Sequence, residues 1–224
     1  MNKRLLTIAS LVQDGTGLID VGTDHGYLPA WLAKSGYSGL LFASDINEGP
    51  LMAARRTAAE SGVQERIRFL LCDGLALCPK ELVDTIVIAG MGGDMIVKIL
   101  DEAEWCMDAR YRLILQPMTK AEVLRYWLVN NEFSIRSESL AAEGGTIYQI
   151  IRAGFGGRTS LSDAELFVGK RSLCTALELY DRHISRTLAR FEKACAGMQA
   201  GKGDSRLCLY QEIMEQLREM RSEK

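Results

Sequence analysis

Asp20-Val21-Gly22-Thr23-Asp24-His25-Gly26 brings two glycines, two carboxylates and an imidazole together at the end of a short apolar run. Glycines at such a turn let the backbone approach a ligand closely, and amides at the start of a following helix can contact its polar atoms. Asp45 closes a second apolar run 25 residues after Asp20. A carboxylate there can accept hydrogen bonds from both hydroxyls of a ribose; a helix N-cap is the plainer use for it. Cys72-Asp73-Gly74 ends a third run, where a side chain can meet an adenine amino group. Ala89-Gly90-Met91-Gly92-Gly93 ends a fourth, and glycines this dense before a helix imply a tight bend beside a ligand. Gln116-Pro117-Met118 ends a fifth and adds a polar side chain. Taken singly, the last two are also ordinary strand-to-helix turns. Together the five sites describe a pocket for an adenosyl group.

A nicotinamide dinucleotide is a weaker reading. Its phosphate turn normally runs G-x-G-x-x-G. Here three bulkier residues separate Gly22 from Gly26, and a pyrophosphate would meet the acidic Asp24. His25 is one of only two histidines; the other, His183, is expected at the surface.

These residues need a scaffold that gathers strand ends. Strand-like runs at 17–22, 40–45, 67–72, 84–89 and 111–116 alternate with helical segments at 27–33, 51–61, 94–104 and 120–130. Such alternation specifies a parallel sheet covered by helices on both faces. Two further extended segments, 133–141 and 146–152, flank Glu143-Gly144-Gly145, a hairpin signal. The expected fold is α/β, a mostly parallel Rossmann-like sheet with a final antiparallel strand, the class I methyltransferase architecture. A helix opening near Lys3 precedes the first strand.

Gly154-Phe155-Gly156-Gly157-Arg158 reads as a linker, dividing a domain at 1–155 from one at 156–224. Ser162-Asp163-Ala164-Glu165 is a capping box expected to open one long helix. Leu166, Lys170, Leu173, Leu177, Tyr180, Ile184, Leu188, Phe191, Cys195 and Met198 recur at three- and four-residue steps, a seam of coiled-coil type. A turn at 200–205 and a helix at 209–220 complete a helical hairpin, suited to packing, to homodimerisation or to docking a substrate.

Composition excludes several classes. With 47% hydrophobic and 25% charged residues the chain is neither disordered nor fibrous. No apolar run is long enough to cross a bilayer. The six cysteines include no C-x-x-C pair and the histidines are far apart, so no metal site is expected. Free thiols and a cytoplasmic location follow. Residues 1–155 hold 15 Lys/Arg against 19 Asp/Glu, and residues 156–224 hold 12 against 10. The net charge of −2 does not by itself point to nucleic acid.

The motifs as a set resemble the bacterial TrmK family of tRNA (adenine(22)-N1)-methyltransferases. Arg4-Leu5, Ile8 to Val12, Asp20 to Pro29, Ser44-Asp45-Ile46-Asn47, Asp73-Gly74-Leu75, Ile88 to Gly93, Leu113 to Pro117 and Ile147 to Ile151 carry the resemblance, across residues 4–152. The resemblance implies an enzyme that moves a methyl group from S-adenosylmethionine to N1 of an adenine in tRNA. Asp20, Gly22, Thr23, Gly26, Asp45, Ile46, Asp73, Gly74, Ala89, Gly90, Met91 and Gly92 are then the expected cofactor-binding residues. Adenine N1 already carries a lone pair, so alignment rather than a strong base is the main task, on a base flipped from its stack. Asp24 is the candidate carboxylate facing the cationic methylated ring, with His25 and Gln116 orienting the base. Arg4, and Arg182, Arg186 and Arg190 (with Lys193) on one helix face, suit tRNA phosphates or plain solvation. A class I methyltransferase acting on another RNA or a small molecule, and a non-catalytic RNA- or protein-binding adaptor, are the alternatives.

Overall fold

The structure, a computed structural model, describes residues 1–199 and 206–222. Its frame is one seven-stranded sheet: β1 (Leu18–Val21), β2 (Leu41–Asp45), β3 (Ile67–Leu71), β4 (Thr85–Gly92), β5 (Arg112–Thr119), β6 (Phe133–Glu143) and β7 (Thr146–Phe155), in the order β3-β2-β1-β4-β5-β7-β6. β1 to β5 are parallel, and β7 is antiparallel to both β5 and β6. Strand order reverses between β1 and β4, and a crevice opens beyond the carboxyl ends of strands at such a point. The antiparallel end follows from the β6–β7 turn, where Gly144 and Gly145 take φ 54° and 81°, the signs a tight hairpin requires.

Strands covered on both faces should read as continuous apolar runs, and all four residues of β1 are buried. On one face α4 (Gly93–Asp101) and α5 (Ala121–Asn130) pack over Ile19, Val21, Ile86, Ile88, Leu113 and Leu115. On the other, α1 (Lys3–Ser10), α2 (Tyr27–Lys34) and α3 (Glu48–Glu60) cover Leu18, Leu41, Val87, Ile114 and Ile150. α1 is anchored at its start by Asn2, whose Oδ1 accepts from the Leu5 N–H at 2.9 Å.

Beyond β7 the chain does not form the single long helix expected from residue 162. The capping box is present: Ser162 Oγ accepts from the Glu165 N–H at 3.2 Å, and Glu165 Oε2 accepts from the Ser162 N–H at 2.8 Å. It opens only α6 (Asp163–Val168), which stops at Gly169 with φ 81°. The long helix is α7 (Leu177–Gln199), so Leu166, Lys170 and Leu173 precede it and Leu177 is half exposed. Tyr180, Ile184, Leu188 and Phe191 do form a buried seam, covered within this chain by Leu140, Val168 and residues Ile213 and Leu217 of α8 (Arg206–Ser222). Contacts of Glu192 with Arg218 and of Cys195 with Met214 make α7 and α8 antiparallel. The expected turn at 200–205 lies outside the described residues.

His183 is not a surface residue: it is 9% exposed beneath this seam. Burial, then the nearby Arg125 charge, pushes its pKa from 6.5 down to about 4. The folded state keeps the imidazole neutral while the unfolded chain protonates it below 6.5, so this stability is lost as pH falls from 6.5 towards 4. Replacing His183 with glutamine should remove this loss, so the variant's melting temperature should rise relative to wild type as pH falls from 6.5 to 4; a difference from wild type that does not vary with pH would contradict it.

A buried ion pair ties these helices to the sheet. Arg125 of α5 is fully buried and pairs with Glu138 of β6, which is 4% exposed. Arg125 also donates to the Leu166 carbonyl and to Gln149 Oε1, each at 2.8 Å, while Glu138 accepts from the Lys170 N–H at 3.3 Å. α5, β6, β7 and the start of the helical unit thus meet on one charge pair.

Candidate active site

At the switch point a cavity of about 350 Å³ opens between the ends of β1 and β4, within the usual range of small-ligand pockets. Arg4, Asp20, Gly22, Thr23, Asp24, His25, Tyr27, Ala89, Gly90, Met91 and Met118 line it. Gly22 has φ 67°, and an added Cβ would collide with the Met91 methyl. A Gly22→Ala variant should lose about 1–2 kcal/mol to the left-handed backbone alone and shift Met91 into the cavity. Its cofactor affinity, read by calorimetry, should fall at least tenfold; unchanged affinity would place the ligand elsewhere.

Asp20 forms the floor at 6% exposure, and its Oδ2 accepts from the Thr23 hydroxyl at 2.6 Å. Burial raises its pKa from 3.8 to about 6, against the opposing pull of Thr23 and Arg4. The folded state therefore holds this proton more tightly than the unfolded chain, so stability is greatest below pH 4 and falls as pH rises through 6, by about 3 kcal/mol. Asp20→Asn should make the ligand-free protein more stable at pH 8, while weakening cofactor binding. Equal melting temperatures at pH 8 would contradict this. The windows of Asp20 and His183 overlap with opposite sign, so wild-type stability should change little between pH 4 and 6.

Asp24 adopts φ 51°, unusual for a residue with a side chain. Its N–H donates to Asp45 Oδ2 at 3.3 Å, which aims the Asp24 carboxylate outward, 3.8 Å from His25 Nε2. His25 stacks on Tyr27 at 5.4 Å between ring centroids. An acidic and aromatic rim therefore stands exposed at the mouth of the cavity. Tyr27 had no role in the reading of the residues themselves, although its place one residue past Gly26 was the available signal.

Several expected members sit differently. Asp45 is 8% exposed and reaches the cavity wall through Asp24, with its Oδ1 accepting from the Asn47 N–H at 2.9 Å; Ile46 beside it is exposed. Asp73 opens onto a separate depression beside Ile99 and Trp105, and Gly74 packs against Ile99. Gly26 is the left-handed N-cap of α2 and lies against Ala54 of α3, while Gly92 caps α4. Gln116 is fully buried; its Oε1 accepts from Arg4 Nη1 and its Nε2 donates to the Pro117 carbonyl at 2.9 Å. It reaches the cavity through Arg4 and through Met118, whose Sδ lies 3.6 Å from its Nε2; Arg4 also stands 5.7 Å over the Tyr148 ring. Arg4 is thus a cavity wall rather than an outer cation. Arg182, Arg186 and Arg190 are exposed on α7, but Arg186 donates to the Gly145 carbonyl and Arg190 lies over Phe167 and Phe191.

A doubly wound sheet with an antiparallel β7 and a carboxylate-and-glycine cavity at its switch point defines a class I methyltransferase, and residues 1–151 match the family described as "Methyltransferase domain". The tRNA (adenine(22)-N(1))-methyltransferase of Bacillus subtilis (strain 168) is 30% identical over 98% of this chain and 96% of its own length. The crystal structure of the B. subtilis M1A22 tRNA methyltransferase TrmK superposes with a TM-score of 0.86 at 29% identity, covering 99% of both chains. Streptococcus pneumoniae Sp1610 in complex with S-adenosyl-L-methionine gives 0.84 at 30% identity, again over 99% of both. The chain belongs to the bacterial tRNA (adenine(22)-N(1))-methyltransferase family.

Proposed function

We propose that this protein transfers a methyl group from S-adenosylmethionine to N1 of adenine 22 in tRNA, with residues 1–155 as the catalytic domain and 156–224 as a helical unit. The observation that carries this is the cavity at the β1/β4 switch point, with Asp20 as its floor and Asp24, His25 and Tyr27 at its mouth. The donor set fits the cofactor: Asp45 has a backbone N–H on each oxygen and further lone pairs for ribose hydroxyls, and the Gly22 and Gly90 backbones line the cavity wall. S-adenosylmethionine supplies an electrophilic methyl group on a sulfonium. Asp20 and Arg4 supply opposite charges for the polar end of a bound amino acid moiety. Tyr27 and His25 offer stacked rings for a flipped adenine. Asp24 holds a negative charge where positive charge develops on the base, and no side chain has to remove a proton from N1 for attack to begin. The rate then rests on alignment.

The names of the full-length relatives support tRNA as the acceptor over a small molecule or a silent adaptor role. Among the described residues no helix is long and apolar enough to cross a membrane, in keeping with a proposed cytoplasmic setting. The test is a pair of tRNA transcripts that differ at position 22. Transfer to the adenine-22 transcript and none to a guanine-22 transcript is expected; equal transfer to both would move the target elsewhere.

A further inference from the structure

We infer that a second cavity, at the opposite end of α1 and built by Arg112, Arg136 and Arg152, binds a backbone phosphate of the RNA substrate; this rests on the tRNA reading above. The cavity measures about 290 Å³ and no acidic residue lines it. Arg112 starts β5 beside Thr85 of β4, and Arg152 of β7 faces Ile114 of β5. Alternate residues of a strand share a face, so Arg112 and Ile114 lie on the same face as Gln116, the side of the sheet that α1 covers. Arg136 falls where the β6–β7 register slips between Ile135 and Ser137. Such a bulge re-aims a side chain, here into the cavity beside the other two arginines.

The charges are uncompensated. Among the described residues Arg112 and Arg152 have no ion-pair partner, and Arg136 donates only to the Gly156 carbonyl, at 3.1 Å. The neighbouring Asp84 carboxylate is engaged by Arg110 at 3.5 Å, and Asp14 accepts from Ser38 at 2.8 Å. Three guanidinium groups converging without a carboxylate repel one another, and the planar fork of arginine matches the oxygens of a phosphate. The body around them is acidic overall, so a local cationic cavity is the form that RNA affinity must take here.

Position argues for a phosphate of the same RNA. α1 contributes Arg4 and Leu5 to the methyl-transfer cavity, while Leu11 at its C-cap and Gln13 just beyond line the arginine cavity. At 1.5 Å per residue the two lie about 10 Å apart along one helix. A single polyanion lying over α1 reaches both.

The experiment compares wild type with Arg112→Gln/Arg152→Gln and Arg112→Lys/Arg152→Lys double variants in the full chain. It reads KM for tRNA, kcat, cofactor affinity and the salt dependence of KM. The glutamine variant should raise KM for tRNA about tenfold or more, flatten the log–log salt slope by about two, and leave kcat and cofactor affinity within twofold. The lysine variant should restore most of the slope. Unchanged KM and slope in the glutamine variant, with normal cofactor affinity showing that it folds, would overturn the inference. Loss of inorganic phosphate binding by that variant with unchanged KM for tRNA would also overturn it, by making this a site for a free small anion. Wild type that transfers no methyl to any tRNA would instead remove the functional reading on which the site rests.

Discussion

Glu138→Ala should be the most damaging single change in this protein, lowering folding stability by about 3–5 kcal/mol by stranding a buried cation. Arg125 would keep its bonds to the Leu166 carbonyl and Gln149, but no anion would remain beside its fully buried guanidinium. The Lys170 N–H would lose its acceptor as well. For a chain of this size each kcal/mol moves the midpoint by about 2–4 °C, so a fall of roughly 6–20 °C is expected in a thermal melt. Replacing both partners, Arg125→Met with Glu138→Leu, should recover much of the loss, because no lone charge is left in the core. A Glu138→Ala melt within 2 °C of wild type would show that water or a rearranged side chain reaches the site.

Asp24→Asn is expected to lower kcat by about a hundredfold or more, the range seen when one preorganised electrostatic group is lost. The choice of asparagine matters. Asp24 sits at φ 51°, a conformation asparagine tolerates and alanine does not, so Asp24→Asn removes charge while keeping the backbone and its N–H on Asp45. Cofactor affinity should stay within a few fold. Asp24→Ala adds a backbone penalty of about 1 kcal/mol and should show a lower melting point too. Wild-type turnover in Asp24→Asn would reduce the Asp24 carboxylate to a surface charge.

The sheet was legible because its central strands are buried on both faces and end in glycine or carboxylate turns. Runs such as Leu18–Val21 and Ile86–Ile88 carry that signal locally, and Gly144-Gly145 announces the hairpin. Features made by residues distant in the chain were not legible. Nothing near Arg125 in α5 marks it as a buried cation, because it meets Glu138, on the following strand, and the Leu166 carbonyl, 41 residues on, only once these elements pack together. The heptad-like spacing from Leu166 to Met198 hid the break at Gly169, since apolar spacing survives an interruption that only the backbone reveals. The sequence around His183 reads as a surface segment because the residues that cover it come from other elements. In the site, the strand-end rule placed Asp20 and Gly22 on the cavity but could not see that Asp73 opens onto a different depression or that Gln116 is buried behind Arg4 and Met118.

The most direct test is transfer of labelled methyl from S-adenosylmethionine to unmodified tRNA, followed by nuclease digestion and nucleoside mapping. Label recovered as 1-methyladenosine at position 22 is the expected result, fixing donor, acceptor and target atom in one experiment. Demonstrated cofactor binding with no label in tRNA, or label in another nucleoside, would contradict it.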